Sequence, residues 1–206
     1  NTCLTSLDVS ENALNADGAM HVAAFIAGMA AQGKRCKLAT LLMAGNHFGQ
    51  DGGVPIAAAL RKCFSLTAID ISRNSLRREG LAELAEVIAT SRRLRSLDMA
   101  SNEAVHPEWV PVKWEHFAGA EEFEPKFHGV TALAKALELN QTLTRLDLGG
   151  NAIIRYGADG TDALAHALLV NHTLTELSLA NIGSNPRPGI NVFPLLEAVR
   201  RNHALT

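Results

Sequence analysis

Scarcity marks this chain first. Its 206 residues include three cysteines (Cys3, Cys36 and Cys63), one tyrosine and two tryptophans, and aromatics make up 5%. An odd, sparse set of cysteines is not a disulfide framework and points to a reducing compartment. Neither sign of charge dominates: the net charge is -2, so no global pull draws the chain toward nucleic acid or an anionic membrane. No apolar run approaches the roughly 18 residues needed to span a bilayer. Asn1–Met20 lacks the basic start and apolar centre of a signal peptide. The glycine pairs Gly52-Gly53 and Gly149-Gly150 are not followed by the GK[ST] of a phosphate loop. Serine, cysteine and histidine are scattered without a triad-like context. The expectation is a protein with no catalytic residues, cofactor or metal.

A repeat is what fills the chain. LTRLDLGGN, from Leu143 to Asn151, has leucines at offsets 0, 3 and 5 and asparagine at offset 8. The template returns at Leu4 (LTSLDVSEN), Leu38 (LATLLMAGN), Leu66 (LTAIDISRN) and Leu94 (LRSLDMASN), weakly at Leu174 (LTELSLANI), and begins again at Leu205. A fixed period of this length is the signature of a solenoid. With 47% hydrophobic residues the chain can bury a sizeable core. Asparagine also stands three residues before the repeat leucine at Asn140, Asn171 and Asn202, and Asn1 stands so before Leu4. The chain therefore reads as an internal piece of a longer array, since solenoid ends need polar caps.

Each unit reads as strand, loop, helix and return loop. Repeats two and three, Leu38–Ser65 and Leu66–Arg93, have 28 residues. Glycines at 18, 52, 80, 129 and 160 are read as opening the helices, with Pro55 in a first turn. Helical stripes include Ala19, Ala23 and Ile26; Ile56, Ala57 and Leu60; and, in the sixth unit, Val192, Leu195, Leu196 and Val199. Parallel strands sit about 4.8 Å apart while packed helices need roughly 8–10 Å. The stack must bend, with strands on the concave side. Asn12, Asn46, Asn74, Asn102 and Asn151 are read as a structural core ladder, because a buried carboxamide both donates and accepts in the turn after each strand.

The LxxLxLxxN…G…LAxxL…N pattern in 28-residue units resembles the ribonuclease-inhibitor-like leucine-rich repeats. That resemblance implies an α/β solenoid: a curved horseshoe with parallel strands concave and helices convex. It also implies an intracellular, cytoplasmic setting, cytoskeletal or ciliary settings included, and protein ligands. The family hosts inhibitors, scaffolds, Ran-type GTPase-activating regulators and ligand-sensing segments of nucleotide-binding immune receptors. The leading expectation is a non-catalytic interaction scaffold, with the regulator and the immune segment as alternatives.

Two surfaces are candidates. The fourth repeat breaks the period: Gly129 follows Asn102 by 27 residues, where six is usual. The excess, residues 103–128, holds Trp109, Trp114, His116, Phe117, Phe123 and Phe127, with six glutamates against two lysines. A disordered loop avoids aromatics, so this segment either docks a partner or packs as a lid on its own solenoid. Its histidines His106, His116 and His128 match no common zinc spacing. The weaker candidate is the concave face, where Asp8, Asp70, Asp98 and Asp147 form an acidic column beside Arg145 and Glu176. The arginines of repeat three read as a solvated face.

Overall fold

The computed structural model describes residues 3–103, 128–151, 153, 158–183 and 192–205. Strands and helices alternate: β1 (Ser6–Asp8), α1 (Asn15–Ala30), β2 (Thr40–Leu42), α2 (Gly49–Leu60), β3 (Ala68–Asp70), α3 (Arg77–Thr90), β4 (Ser96–Asp98), α4 (His128–Leu139), β5 (Arg145–Asp147), α5 (Ala158–Val170), β6 (Glu176–Ser178) and α6 (Phe193–Arg201). The strands make one parallel sheet in sequential order. Its central row is Leu7, Leu41, Ile69, Leu97, Leu146 and Leu177, each paired with the next. Successive helices pack on each other in the second layer. The mismatch between strand and helix spacing curves this two-layer solenoid toward its strands.

The core lies between the layers. Leu38, Leu41 and Met43 meet Ile56 and Leu60, and the same positions recur in later units as Leu94, Leu97, Met99, Leu133 and Leu137, all at most 3% exposed. Close helix approach rests on small residues. A Cβ on Gly53 would meet Leu76 Cδ2 at 2.9 Å and sit 3.5 Å from Gly80 Cα, so only glycine lets α2 lie this near α3. The glycine reading needs one correction: α1, α2 and α3 begin three residues ahead of Gly18, Gly52 and Gly80. Pro55 accordingly lies inside α2 rather than in its first turn. Leu196 is 62% exposed, not buried as its stripe predicts, because among the described residues no helix packs on the far side of α6.

The turn after each strand is held by asparagine. Asn46, Asn74, Asn102 and Asn151 are fully buried. Each Oδ1 accepts the backbone N–H of the asparagine one rung earlier: Asn46 to Asn12 (3.1 Å), Asn74 to Asn46 (2.9 Å), Asn102 to Asn74 (3.0 Å) and Asn151 to Asn102 (2.8 Å). Each Nδ2 donates both within its own turn and across the rung, as Asn74 does to Ile71 O and Met43 O. Asn12 differs. Its backbone N–H joins the ladder, but its side chain is exposed and reaches only Val9 O and Ser10 O. It is the first rung among the described residues, and its side chain is not buried there.

The same turns carry backbone strain. Left-handed φ values recur just before the asparagine (Glu11, Gly45, Arg73, Ser101, Gly150), just after it (Ala13, His47, Ser75, Glu103) and three residues on (Asn15, Gly49, Arg77). Non-glycine residues adopt this region at a cost of about 1–2 kcal/mol each; the ladder over-determines them.

A second asparagine column laces the return side. Asn140, Asn171 and Asn202 donate to Ile88 O (2.6 Å), Leu137 O (2.7 Å) and Leu168 O (2.6 Å) of the preceding helix. Their Oδ1 atoms accept two N–H groups of the following turn. Asn140 and Asn171 also fit the glycosylation acceptor pattern, yet both are buried and their Nδ2 atoms are committed. Cys63 and Ser91 hold this column in the earlier repeats.

Candidate protein-interaction surface

The concave face is built by strand residues whose side chains alternate with the core row. Asp8, Asp70, Asp98 and Asp147 stand on it in one column, with Leu42 in the second strand and Ser178 in the last. Each aspartate has a backbone task. Its Oδ1 accepts the N–H two residues on: Ser10 (2.9 Å), Ser72 (2.9 Å), Ala100 (3.0 Å) and Gly149 (2.8 Å). This Asx geometry starts the turn that leads to the ladder asparagine. Ser72 Oγ also donates to Asp70 at 2.7 Å.

The column is electrostatically loaded at its middle. Burial pushes the Asp98 carboxyl above the usual carboxylate range. The Ala100 N–H works against that, and the flanking Asp70 and Asp147 add to it. Asp8, at the open end, is lowered by its hydrogen bonds with Ser10. Arg145 and Glu176, both exposed, pair with each other at 3.2 Å across β5 and β6.

The aromatic residues Trp109, Trp114, Phe117, Phe123 and Phe127, and His116 with them, lie outside the described residues. The structure does show what flanks their segment. Asn102 and Asn151 remain hydrogen-bonded, β4 and β5 remain in register at Asp98 and Asp147, and α3 packs directly on α4. Residues 103 and 128, at either end of the excess, bound one strand-to-helix connection, and the rungs flanking it stay paired. At the start of that connection Glu103 accepts a hydrogen bond from Ser75 Oγ (3.1 Å) and faces Arg77 (3.8 Å). Farther along this edge Arg73 reaches across the second rung to Glu11, whose carboxylate lies over Gly45.

Sequence reading missed one cluster. Cys36 and Cys63 both approach Ser65 Oγ on the return side. The signal was available, since they stand two and three residues before successive repeat leucines. Among the described residues, no group of three His, Cys, Asp or Glu side chains could hold a metal ion, and no helix is long and apolar enough to cross a membrane.

The family described as Leucine Rich repeat matches residues 1–23, 62–85 and 139–155. No curated protein matches the chain. Among solved structures, the tropomodulin C-terminal domain of Caenorhabditis elegans is similar at a TM-score of 0.60 and 15% identity, covering 88% of this chain and 92% of that one. Leiomodin-1 Actin-Binding Site 2 has a TM-score of 0.52 at 14% identity, covering 98% and 82%. The leucine-rich repeat-containing protein LegL7 of Legionella pneumophila has a TM-score of 0.54 at 19% identity, covering 98% and 55%. The chain has the leucine-rich-repeat fold. The match does not extend to the ribonuclease-inhibitor-like subtype.

Proposed function

We propose that this chain is a non-catalytic scaffold for protein partners, a segment of a larger intracellular protein or assembly, and that a partner docks at the edge carrying residues 103–128. The observation that supports the edge is the undisturbed rung beneath it. Asn102 and Asn151 bond across the segment's place in the sequence, so the ladder is complete without it. Yet it contains both tryptophans of the chain, the residue type most enriched at interface anchor points. The concave face is the weaker candidate. Its aspartates are engaged by their turns, and Arg145 and Glu176 engage each other.

The names of two similar folds, tropomodulin and leiomodin-1 Actin-Binding Site 2, support a cytoskeletal setting and make actin the first partner to test. Full-length protein, and a variant with 104–127 replaced by a short glycine-serine link, would be co-sedimented with filamentous actin. Both would also be used for cross-linking and capture from the source cells. Loss of the captured partner on deletion, with cross-links concentrated in 104–127, is the expected result. A partner that survives deletion and cross-links around Asp70, Asp98 and Asp147 would move the site to the concave face. The absence of any stable partner for the full-length protein would overturn the scaffold reading.

A further inference from the structure

On the return side, Ser65 sits between two thiols from neighbouring repeats. Cys36 Sγ lies 3.1 Å from Ser65 Oγ, and Cys63 Sγ lies 3.6 Å from it. Ser65 has one hydroxyl proton and donates it to Leu38 O at 2.7 Å. Its oxygen can therefore only accept from the sulfurs, so both S–H groups aim at one atom. The two sulfurs are thus no farther apart than those distances laid end to end. Their settings differ. Cys63 is 5% exposed, while Cys36 is half-buried and open to solvent. Cys3, the third thiol, is exposed.

We propose that Cys36 and Cys63 form a modification site, an oxidisable dithiol whose co-substrate is a small disulfide of the glutathione type. Cys36, as thiolate, attacks one sulfur of oxidised glutathione. A mixed disulfide forms, and one glutathione leaves as a thiolate that takes up the proton Cys36 released. Cys63 then attacks Cys36 Sγ. The protein disulfide forms, and the second glutathione departs as a thiolate and takes the Cys63 proton. Two protein thiols are oxidised, and one external disulfide is reduced to two thiols. Burial raises the Cys63 thiol, which keeps it protonated during the first step and leaves that step to the solvent-facing Cys36; its own attack is then intramolecular. The product joins two rungs on the side where the asparagine lacing is missing, beside the exposed ring of Phe64.

The test is direct and uses the unaltered chain. Protein equilibrated at a series of oxidised-to-reduced glutathione ratios is acid-quenched, alkylated, digested and mapped by mass spectrometry. The expected product is a Cys36–Cys63 linked peptide pair that grows with the ratio and disappears with dithiothreitol, while Cys3 is recovered alkylated or as a glutathione adduct. In Cys63→Ser the Cys36–glutathione adduct should accumulate instead. A wild-type Cys36 that stops at the adduct with Cys63 still reduced would overturn the proposal, as would a Cys3–Cys36 link in its place.

Discussion

Replacing Asn74 by leucine tests the ladder as the device that holds the turns. The side chain is fully buried and makes four contacts that leucine cannot. Three are donated, to Met43 O (2.9 Å), Ile71 O (3.0 Å) and Ser72 O (2.9 Å); one is accepted, from Asn46 N–H at 2.9 Å. The losses are unequal. Each carbonyl keeps another donor: Asn46 Nδ2 for Met43 O, Asn102 Nδ2 for Ile71 O and Gly45 N for Ser72 O. The Asn46 N–H is left buried with nothing to bond. An orphaned buried donor costs about 1–3 kcal/mol and an ordinary net hydrogen bond about 1 kcal/mol, while leucine recovers some apolar burial. The expected loss is about 2–4 kcal/mol. At a urea slope of about 2 kcal/mol/M, the midpoint should fall by about 1–2 M. Asn12→Ala is the internal control, since its side chain is exposed and accepts nothing from a neighbouring rung; it should cost under about 1 kcal/mol. Equilibrium urea unfolding followed by circular dichroism gives both values. If Asn74→Leu is no more destabilising than Asn12→Ala, the ladder does not hold the turns and the reasoning fails.

Other expected outcomes follow from single contacts. Gly45→Ala should destabilise by about 1–2 kcal/mol, because φ is +64° and the new Cβ would meet Glu11 Oε1 at 2.5 Å; His47→Gly, at φ 57°, should stabilise by about 0.5–1 kcal/mol, and thermal melts report both signs. Ser91→Asn should stabilise by about 0.5–1.5 kcal/mol in the same assay. An asparagine there keeps the hydrogen bond to Leu94 N–H and can add one to Leu60 O, filling the small cavity lined by Leu60, Cys63, Leu66 and Leu94. Asp98→Asn should stabilise near pH 7: two carboxylates about 5 Å away cost about 0.8 kcal/mol each in water-like surroundings, reduced by salt, for a gain of about 1 kcal/mol. The folded carboxyl is raised, so its contribution is fully present below the unfolded value of about 3.9 and is lost as pH rises through the folded value. The gain should therefore vanish in melts near pH 3.

The strand order and rung spacing could be read from leucine offsets because each strand residue has one geometric task and the task recurs. The same holds for the buried state of Asn46, Asn74, Asn102 and Asn151. End effects were less legible. Asn12 and Leu196 carry the same sequence signal as buried counterparts, but burial is supplied by a neighbouring rung and not by the residue itself. Helix starts read late from sequence because a glycine at the end of a loop looks like a helix opener, whereas Gly52, Gly53 and Gly80 serve close helix packing. The aspartate column was visible as charge, but its Asx bonds to backbone two residues on were not. The thiol pair escaped because Cys36 and Cys63 are 27 residues apart in sequence and meet only through rung stacking.

The two asparagine columns give the molecule a mechanical grain. The strand-to-loop edge is stitched from Asn46 to Asn151. The return edge is stitched to the preceding helix by Asn140, Asn171 and Asn202, whereas the shorter side chains of Cys63 and Ser91 stand at those points earlier in the chain. The later repeats are thus sewn along both hems and the earlier ones along a single hem. Pulled along its length, such a ribbon tears from the single-hemmed side, so the first two rungs should peel as separate steps before the remainder, which Asn140 ties to the third helix, yields.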